Sequence, residues 1–192
     1  GFTIFVDPGR RVYVRRINIV GNHKSQDEVI RRELRQLESS WYSLDKIARS
    51  KERLQRLGYF SEVNIETPAV AGTADQVDAV VTVTEKNTGS LNFGVGYSQA
   101  DKLTVSASVS QANIFGSGNQ LAFQVNNGSV NKIYSLTFVN PYWTVDGIAA
   151  GIDVFRRDVD TDELALSSYQ TSTTGAGLNF GIPLTEYDSI RV

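Results

Sequence analysis

The stretch Leu91-Asn92-Phe93-Gly94-Val95-Gly96-Tyr97-Ser98 alternates apolar with small or polar residues, and Leu103-Thr104-Val105-Ser106-Ala107-Ser108-Val109-Ser110 repeats the pattern one turn later. Period-two alternation marks a β-strand with two unlike faces. The pattern continues down the chain. Leu121, Phe123 and Val125 alternate with Gln120, Gln124 and Asn126, and Tyr134, Leu136 and Phe138 with Ser135, Thr137 and Val139. Ile148, Ala150, Ile152 and Val154 follow, then Leu178, Phe180 and Ile182 against Gly177, Asn179 and Gly181. A water-soluble sandwich also alternates, but its polar face usually carries Lys, Glu and Arg. Here that face is Ser, Thr, Asn, Gln and Gly. Strands of about ten residues with one apolar and one uncharged polar side match a transmembrane barrel, with hydrocarbon outside and water inside. Phe115, Tyr142, Trp143 and Tyr187 gather near the turns, where a barrel's interfacial aromatics lie.

Outward from these strands the composition changes. Residues 88–192 hold 14 charged side chains and 11 Gly, against 26 charged side chains and 5 Gly in residues 1–87. The earlier part is therefore a soluble, mixed-charge domain, joined to the strands by a short linker at Lys86-Asn87-Thr88. The whole chain of 192 residues carries 19 Lys+Arg, 21 Asp+Glu, one His and no Cys. A net charge of −2 gives no basic footprint, so no nucleic-acid partner is expected. The absence of Cys excludes disulfides, thiolate zinc sites and cysteine nucleophiles. A single His excludes the usual multi-histidine metal sites, and no metal or other cofactor is expected. No run approaches the roughly 18 apolar residues of a membrane helix. Gly1 stands where an initiator Met would, which leads to the expectation of a cut inside a longer protein. Six strands and a seventh starting at Tyr187 do not close by themselves. Backbone groups in lipid must all be paired, so closing strands are expected from elsewhere.

In the soluble part, Val12, Val14, Ile17 and Ile19 anchor a strand whose alternation slips at Arg15-Arg16, where a bulge fits. Gly21-Asn22 signals a turn, and Ser25-Gln26-Asp27-Glu28 reads as a capping box. Ile30, Leu34 and Leu37 then form one helical stripe, with Arg31, Arg32, Glu33 and Arg35 on the opposite face. A second helix is predicted from about Ser43 to Leu57, with Leu44, Ile47, Leu54 and Leu57 inward and Gly58 as its left-handed stop. Strands over Tyr59–Glu66 and Val77–Thr84 complete a β-α-α-β-β domain with helices packed on a three-stranded sheet. Residues 1–10 read as the end of a preceding unit, 11–87 as the domain itself, and 88–192 as barrel strands. The predicted fold class is thus an α+β domain followed by antiparallel transmembrane β-barrel strands, an incomplete barrel.

Several stretches are motif-like in a way that names a family. Val12-Tyr13-Val14-Arg15-Arg16-Ile17, Gly21-Asn22, Arg31-Arg32-Glu33-Leu34-Arg35-Gln36 and Arg53-Leu54-Gln55-Arg56-Leu57-Gly58-Tyr59-Phe60 resemble the barrel-proximal POTRA domain of the BamA family, in the Omp85 class. Glu85 to Tyr97 resembles its linker and first barrel strand. Phe115–Asn119, Asn140–Gly147 and Gly181–Asp188 resemble its periplasmic turns. The resemblance covers nearly the whole chain, and its absent parts are the later barrel strands and the Arg-Gly-Phe loop. It implies residence in a bacterial outer membrane with the POTRA domain in the periplasm. The implied role is a core assembly component that folds and inserts client barrels, not an enzyme. The implied partners are a BamD-like lipoprotein and other accessory lipoproteins, unfolded outer-membrane proteins and the lipid bilayer.

By the same resemblance, client strands pair at a seam formed by the first barrel strand, here Leu91, Asn92, Phe93, Gly94, Val95, Gly96 and Tyr97. An unpaired strand edge supplies the necessary backbone partners, and Gly94 and Gly96 loosen the strand or relieve crowding in a curved wall. The lipoprotein face is expected on Arg31, Arg32, Arg35 and Glu38. A two-partner secretion transporter of the same class and a passive channel are the alternatives. Other signals fail on their chemistry. Asp158-x-Asp160-x-Asp162 lacks the Gly and Glu of a calcium loop and reads as an acidic external loop. Gly94-x-Gly96 has no third Gly or following helix for a dinucleotide. His23 is the only His and lies in a turn remote from any triad.

Overall fold

The structure is a computed structural model, and it describes residues 11–99, 102–160, 169–185 and 188–192. The expectations for residues 1–10, for Asp162 and for Tyr187 lie outside the described residues. The chain divides into two compact units, 1–87 and 88–192.

The first unit contains β1 (Tyr13–Val20), α1 (Asp27–Arg31), β2 (Ser40–Trp41), α2 (Leu44–Arg56), β3 (Phe60–Glu66) and β4 (Gln76–Glu85). Its sheet runs β2-β1-β4-β3, with β1 and β4 parallel and the outer pairs antiparallel. The register of β1 against β4 shifts between Val14 and Arg16. That extra residue lets Val14 and Ile17, three apart, both turn into the core, while Arg15 and Arg16 stay exposed. Arg15 then makes a bidentate pair with Asp78 on the neighbouring strand, at 2.9 and 2.6 Å. Val29, Ile30, Leu34, Ile47 and Leu54 cover the sheet residues Val14, Ile17, Val63, Ala79, Val81 and Val83. Gly21 is required at the end of β1. Its φ is +92°, and a Cβ there would collide with the Val83 carbonyl.

Three details differ from the sequence expectation. The first helix ends at Arg31 after five residues, and the capping box does not form. Ser25 is taken up by Glu85, whose carboxylate accepts its N–H at 2.6 Å and also its hydroxyl. The helix stops because Ser50 Oγ on α2 accepts the N–H groups of Arg35 and Gln36, at 2.8 and 3.4 Å, in place of carbonyls one turn back. The chain past Arg31 therefore winds around Ser50. Leu34 remains buried, Leu37 is thrown out to 62% exposure, and Glu33 turns inward to Arg53 at 2.7 Å. In α2, Ser43 caps through Lys46 N–H and Gly58 follows with φ +72°. Leu44 in its first turn is 72% exposed rather than inward, and Leu57 is half-buried. The sheet also has a fourth strand, the two-residue β2, held to β1 where Trp41 stacks on Tyr13 at 3.9 Å.

Two stability predictions arise here. Leu54 is fully buried on α2. Leu54→Ala in residues 11–87 expressed alone should cost roughly 2–5 kcal/mol in a denaturant titration. Glu85 behaves differently. Burial by itself would push its carboxyl up. The Ser25 hydroxyl and the N–H groups of Ser25, Lys24 and His23 outweigh that and hold it below the ordinary glutamate range. A depressed folded-state value means stabilisation that is complete above the unfolded value and is lost as pH falls through the folded one. Melting of residues 11–87 should therefore drop on acidification through and below the ordinary glutamate range. Glu85→Gln should lower the neutral-pH melting temperature and flatten that dependence.

The second unit is one antiparallel meander. It contains β5 (Gly89–Ser98), β6 (Lys102–Ile114), β7 (Asn119–Asn127), β8 (Asn131–Asn140), β9 (Ala149–Asp160), β10 (Gln170–Pro183) and β11 (Ser189–Arg191). Each strand pairs with its sequence neighbour, in the order β11-β10-β9-β8-β7-β6-β5. Register keeps like with like. Leu91, Phe93, Val95 and Tyr97 face Val109, Ala107, Val105 and Leu103, and Asn92 and Gly94 face Ser108 and Ser106. On the same apolar side, Phe123 meets Leu136, Phe138 meets Ile152, and Ile152 meets Leu178. Among the described residues of this unit, no second layer covers this face. Among the described residues of the unit, Val130 is the only buried apolar side chain. Single-layer strands with a bare apolar face are what a barrel wall requires and what a sandwich excludes.

Candidate strand-pairing edge and partner face

Among the described residues, β5 pairs with β6 and with no other strand. The direction of its remaining backbone groups follows from one bond. Ala112 donates to the Thr88 carbonyl, which makes residues 88 and 112 a hydrogen-bonded pair of the β5–β6 ladder. In an antiparallel ladder such pairs alternate with pairs that turn their N–H and C=O away. The register is continuous from Gly89↔Gln111 to Ser98↔Lys102. Ser90, Asn92, Gly94, Gly96 and Ser98 therefore bond to β6. Leu91, Phe93, Val95 and Tyr97 turn their backbone groups away from β6. The same four large side chains are exposed on the apolar face.

The two glycines sit on the polar face in different surroundings. A Cβ at Gly94 would lie 2.5 Å from Ser106 Oγ, so that hydroxyl fills the space. A Cβ at Gly96 would meet nothing within 4 Å. Gly96 leaves β5 without packing on its inner side, whereas Gly94 makes room for a cross-strand neighbour. Elsewhere on this face, the Phe155 ring lies over Gly175, 2.6 Å from where a Cβ would stand. Asp153 accepts from Thr137 Oγ1 at 2.7 Å and from Asn179 Nδ2.

The expected lipoprotein face does not lie on one helix. Arg31 ends α1 and donates to Asp27 (2.7 Å), to Glu38 (3.3 Å) and to the Ile17 carbonyl (3.1 Å). Glu38 also accepts the Ile17 N–H at 2.8 Å. These two residues form an exposed ion pair latched to the middle of β1. Arg32 and Arg35 are half-buried in the turns beyond the helix. Of the turn aromatics, Phe115 and Trp143 are exposed, and Tyr142 is half-buried beside Gly147 and Pro183. Phe115 adopts φ +50°, a left-handed conformation rare for an aromatic residue.

Asp158 and Asp160, expected in a loop, belong to β9. Sequence reasoning also passes over Lys132 and Arg156, although both share the parity of Leu136 and Val154 and so fall on the apolar face. That shared parity is the signal that could have found them.

Comparison with known proteins follows this division. Residues 12–86 match the POTRA family, described as surface antigen variable number repeat, and residues 113–192 match the Omp85 superfamily domain. The chain belongs to the Omp85 superfamily. It is 44% identical over 192 residues to the outer membrane protein assembly factor BamA of Neisseria meningitidis serogroup B, covering 99% of this chain and 24% of that protein. It is 31% identical over 188 residues to BamA of Nitratidesulfovibrio vulgaris, covering 98% of this chain and 23% of that protein. Among solved structures, BamA of Haemophilus ducreyi lacking POTRA domains 1–3 superposes with a TM-score of 0.82 at 37% identity, over 95% of this chain and 35% of that one. CdiB of Acinetobacter baumannii shares the fold, with a TM-score of 0.59 at 14% identity, over 89% of this chain and 33% of that one. The Omp85 strands here are outer-membrane barrel strands, and the POTRA domain is periplasmic.

Proposed function

We propose that this Omp85 segment belongs to an outer-membrane assembly factor and that β5 is where client strands pair during insertion. What supports this is the phase of β5, which turns the backbone groups of alternate residues away from β6. Leu91, Phe93, Val95 and Tyr97 offer N–H and C=O groups outward while the β5–β6 ladder stays complete. A chain entering lipid needs such partners, because unpaired backbone groups there cost several kcal/mol each, roughly. Strand addition at an edge supplies them without a cofactor or a catalytic group. Gly96 weakens the inner packing of the same strand, which favours its release from a closing neighbour.

In this reading residues 11–87 are the fifth, barrel-proximal POTRA domain, and residues 1–10 are the end of the fourth. The Arg31–Glu38 pair, with Arg32 and Arg35 beside it, is the docking face for a BamD-like lipoprotein. Unfolded outer-membrane proteins are the clients. The test is insertion of a client barrel by the full-length protein carrying Val95→Pro, with Val95→Thr as the control that keeps the N–H. Equal insertion by the two variants would remove β5 from the pairing role.

A further inference from the structure

The apolar face of the strand unit ends abruptly on β8, β9 and β10. At one strand step beyond Val154, about 7 Å, the outward positions become Arg156, then Asp158, then Asp160. Lys132 stands opposite Asp158 on β8, and Ser172 and Gln170 stand opposite Asp158 and Asp160 on β10. The outward positions in register with Lys132 on β7, β6 and β5 are Asn127, Val105 and Val95, so among the described residues the outward charge lies on β8 and β9. The cleft there has a volume of about 340 Å³ and includes all six of these polar residues.

The charges are arranged, not scattered. Arg156 donates through Nε to both oxygens of Asp158, at 3.2 and 3.1 Å, and Asp158 is fixed in turn by Ser172 Oγ. Gln170 holds Asp160 at 2.7 Å. Both terminal nitrogens of Arg156 and the Lys132 ammonium make no further hydrogen bond among the described residues. The Asp158 carboxylate thus orients the Arg156 guanidinium through Nε, and Lys132 stands directly across the ladder from Asp158. Arginine's planar donors suit a phosphate oxygen pair, and a nearby ammonium adds a point charge.

Position selects the ligand. The chain enters β5 from the periplasmic POTRA side, so the turns at 115–118 and 141–148 are periplasmic. The opposite strand ends, which carry Lys132, Arg156 and Gln170, then lie toward the outer leaflet. Charges on the lipid side are tolerated near the headgroups and costly at the midplane. We infer that Lys132 and Arg156 form a seat for the phosphate of an outer-leaflet phosphoglycolipid, with acyl chains lying against Tyr134, Leu136 and Val154. Basic groups at the headgroup level attract anionic lipid by this means.

The test uses the full-length protein in phosphatidylcholine nanodiscs, with retained lipid measured by native mass spectrometry. The probes are bisphosphorylated lipid A, its dephosphorylated form and phosphatidylglycerol. The wild type should retain bisphosphorylated lipid A best. The double variant Lys132→Ala/Arg156→Ala should lose about tenfold in affinity or more for it, with no change for the dephosphorylated form. Heat-modifiable gel mobility reports barrel folding. Should the double variant not fold, Arg156→Gln and Lys132→Gln singly carry the same comparison with smaller losses. Equal retention by folded variant and wild type overturns the site. Equal retention of phosphatidylglycerol and lipid A by the wild type overturns the choice of ligand.

Discussion

Val95→Pro in the full-length protein should reduce client insertion at least about tenfold while leaving the barrel folded. The reason is the direction of one N–H. Val95 belongs to the pairs that turn away from β6, so proline there costs no bond of the β5–β6 ladder. Proline is tolerated on an edge strand when its missing donor would have faced outward. Gly94 before it is extended and accepts the restriction that proline imposes. What is lost is one of the edge's donors, and the ring occupies the space in which a client carbonyl would approach. Gly96→Pro makes the informative contrast. Its N–H faces β6, so that variant should loosen β5 and lower barrel stability. Insertion into liposomes, scored by protease protection of a client, separates the two. Full insertion by Val95→Pro would sink the edge mechanism.

Glu38→Lys is expected to lower recovery of the lipoprotein partner about tenfold or more with full-length protein. Glu38 stands between Arg31 and the Ile17 N–H, so a lysine there meets a like charge and leaves that backbone donor without its carboxylate. Truncating or reversing a hydrogen-bonded charge at an interface typically costs about 2–5 kcal/mol of binding. The change also touches β1, so melting of the POTRA domain must be followed alongside. Glu38→Gln keeps an oxygen that can accept the Ile17 N–H while removing the charge, and so separates local geometry from recognition. A partner that reads the Glu38 charge binds that variant weakly as well. Unchanged recovery with Glu38→Lys would take this pair out of the docking face. Arg32 is less informative, because its guanidinium is partly buried and reversal there disturbs folding as well.

The strand unit was largely legible, because alternation records directly which side of each strand meets water. A Ser, Thr, Asn and Gln face opposite a Leu, Val and Phe face has few other physical readings. The soluble domain was legible where burial alone decides, as at Val14, Ile17 and Leu54. It was misleading where a distant side chain competes for backbone groups. Nothing near Arg35 announces that Ser50, fifteen residues on, will take its N–H, so a stripe ending in Leu37 looks like a longer helix than forms. Ser25 looks like a cap until Glu85, sixty residues away, claims it. The phase of the β5 edge lies deeper still. Side-chain pattern sets which face a residue uses but not which neighbour its backbone addresses, and only the ladder resolves that.

That phase has a consequence for what the edge can discriminate. A strand that docks antiparallel on β5 places its own bonded residues across from Leu91, Phe93, Val95 and Tyr97, and directly opposed residues project to the same face. The newcomer is thus obliged to carry oily side chains at every second position and in step with those four. Such an edge checks rhythm and ignores spelling. Strands with unrelated sequences would pair there equally well if they kept time, and a one-residue slip would turn their wet side toward the acyl chains.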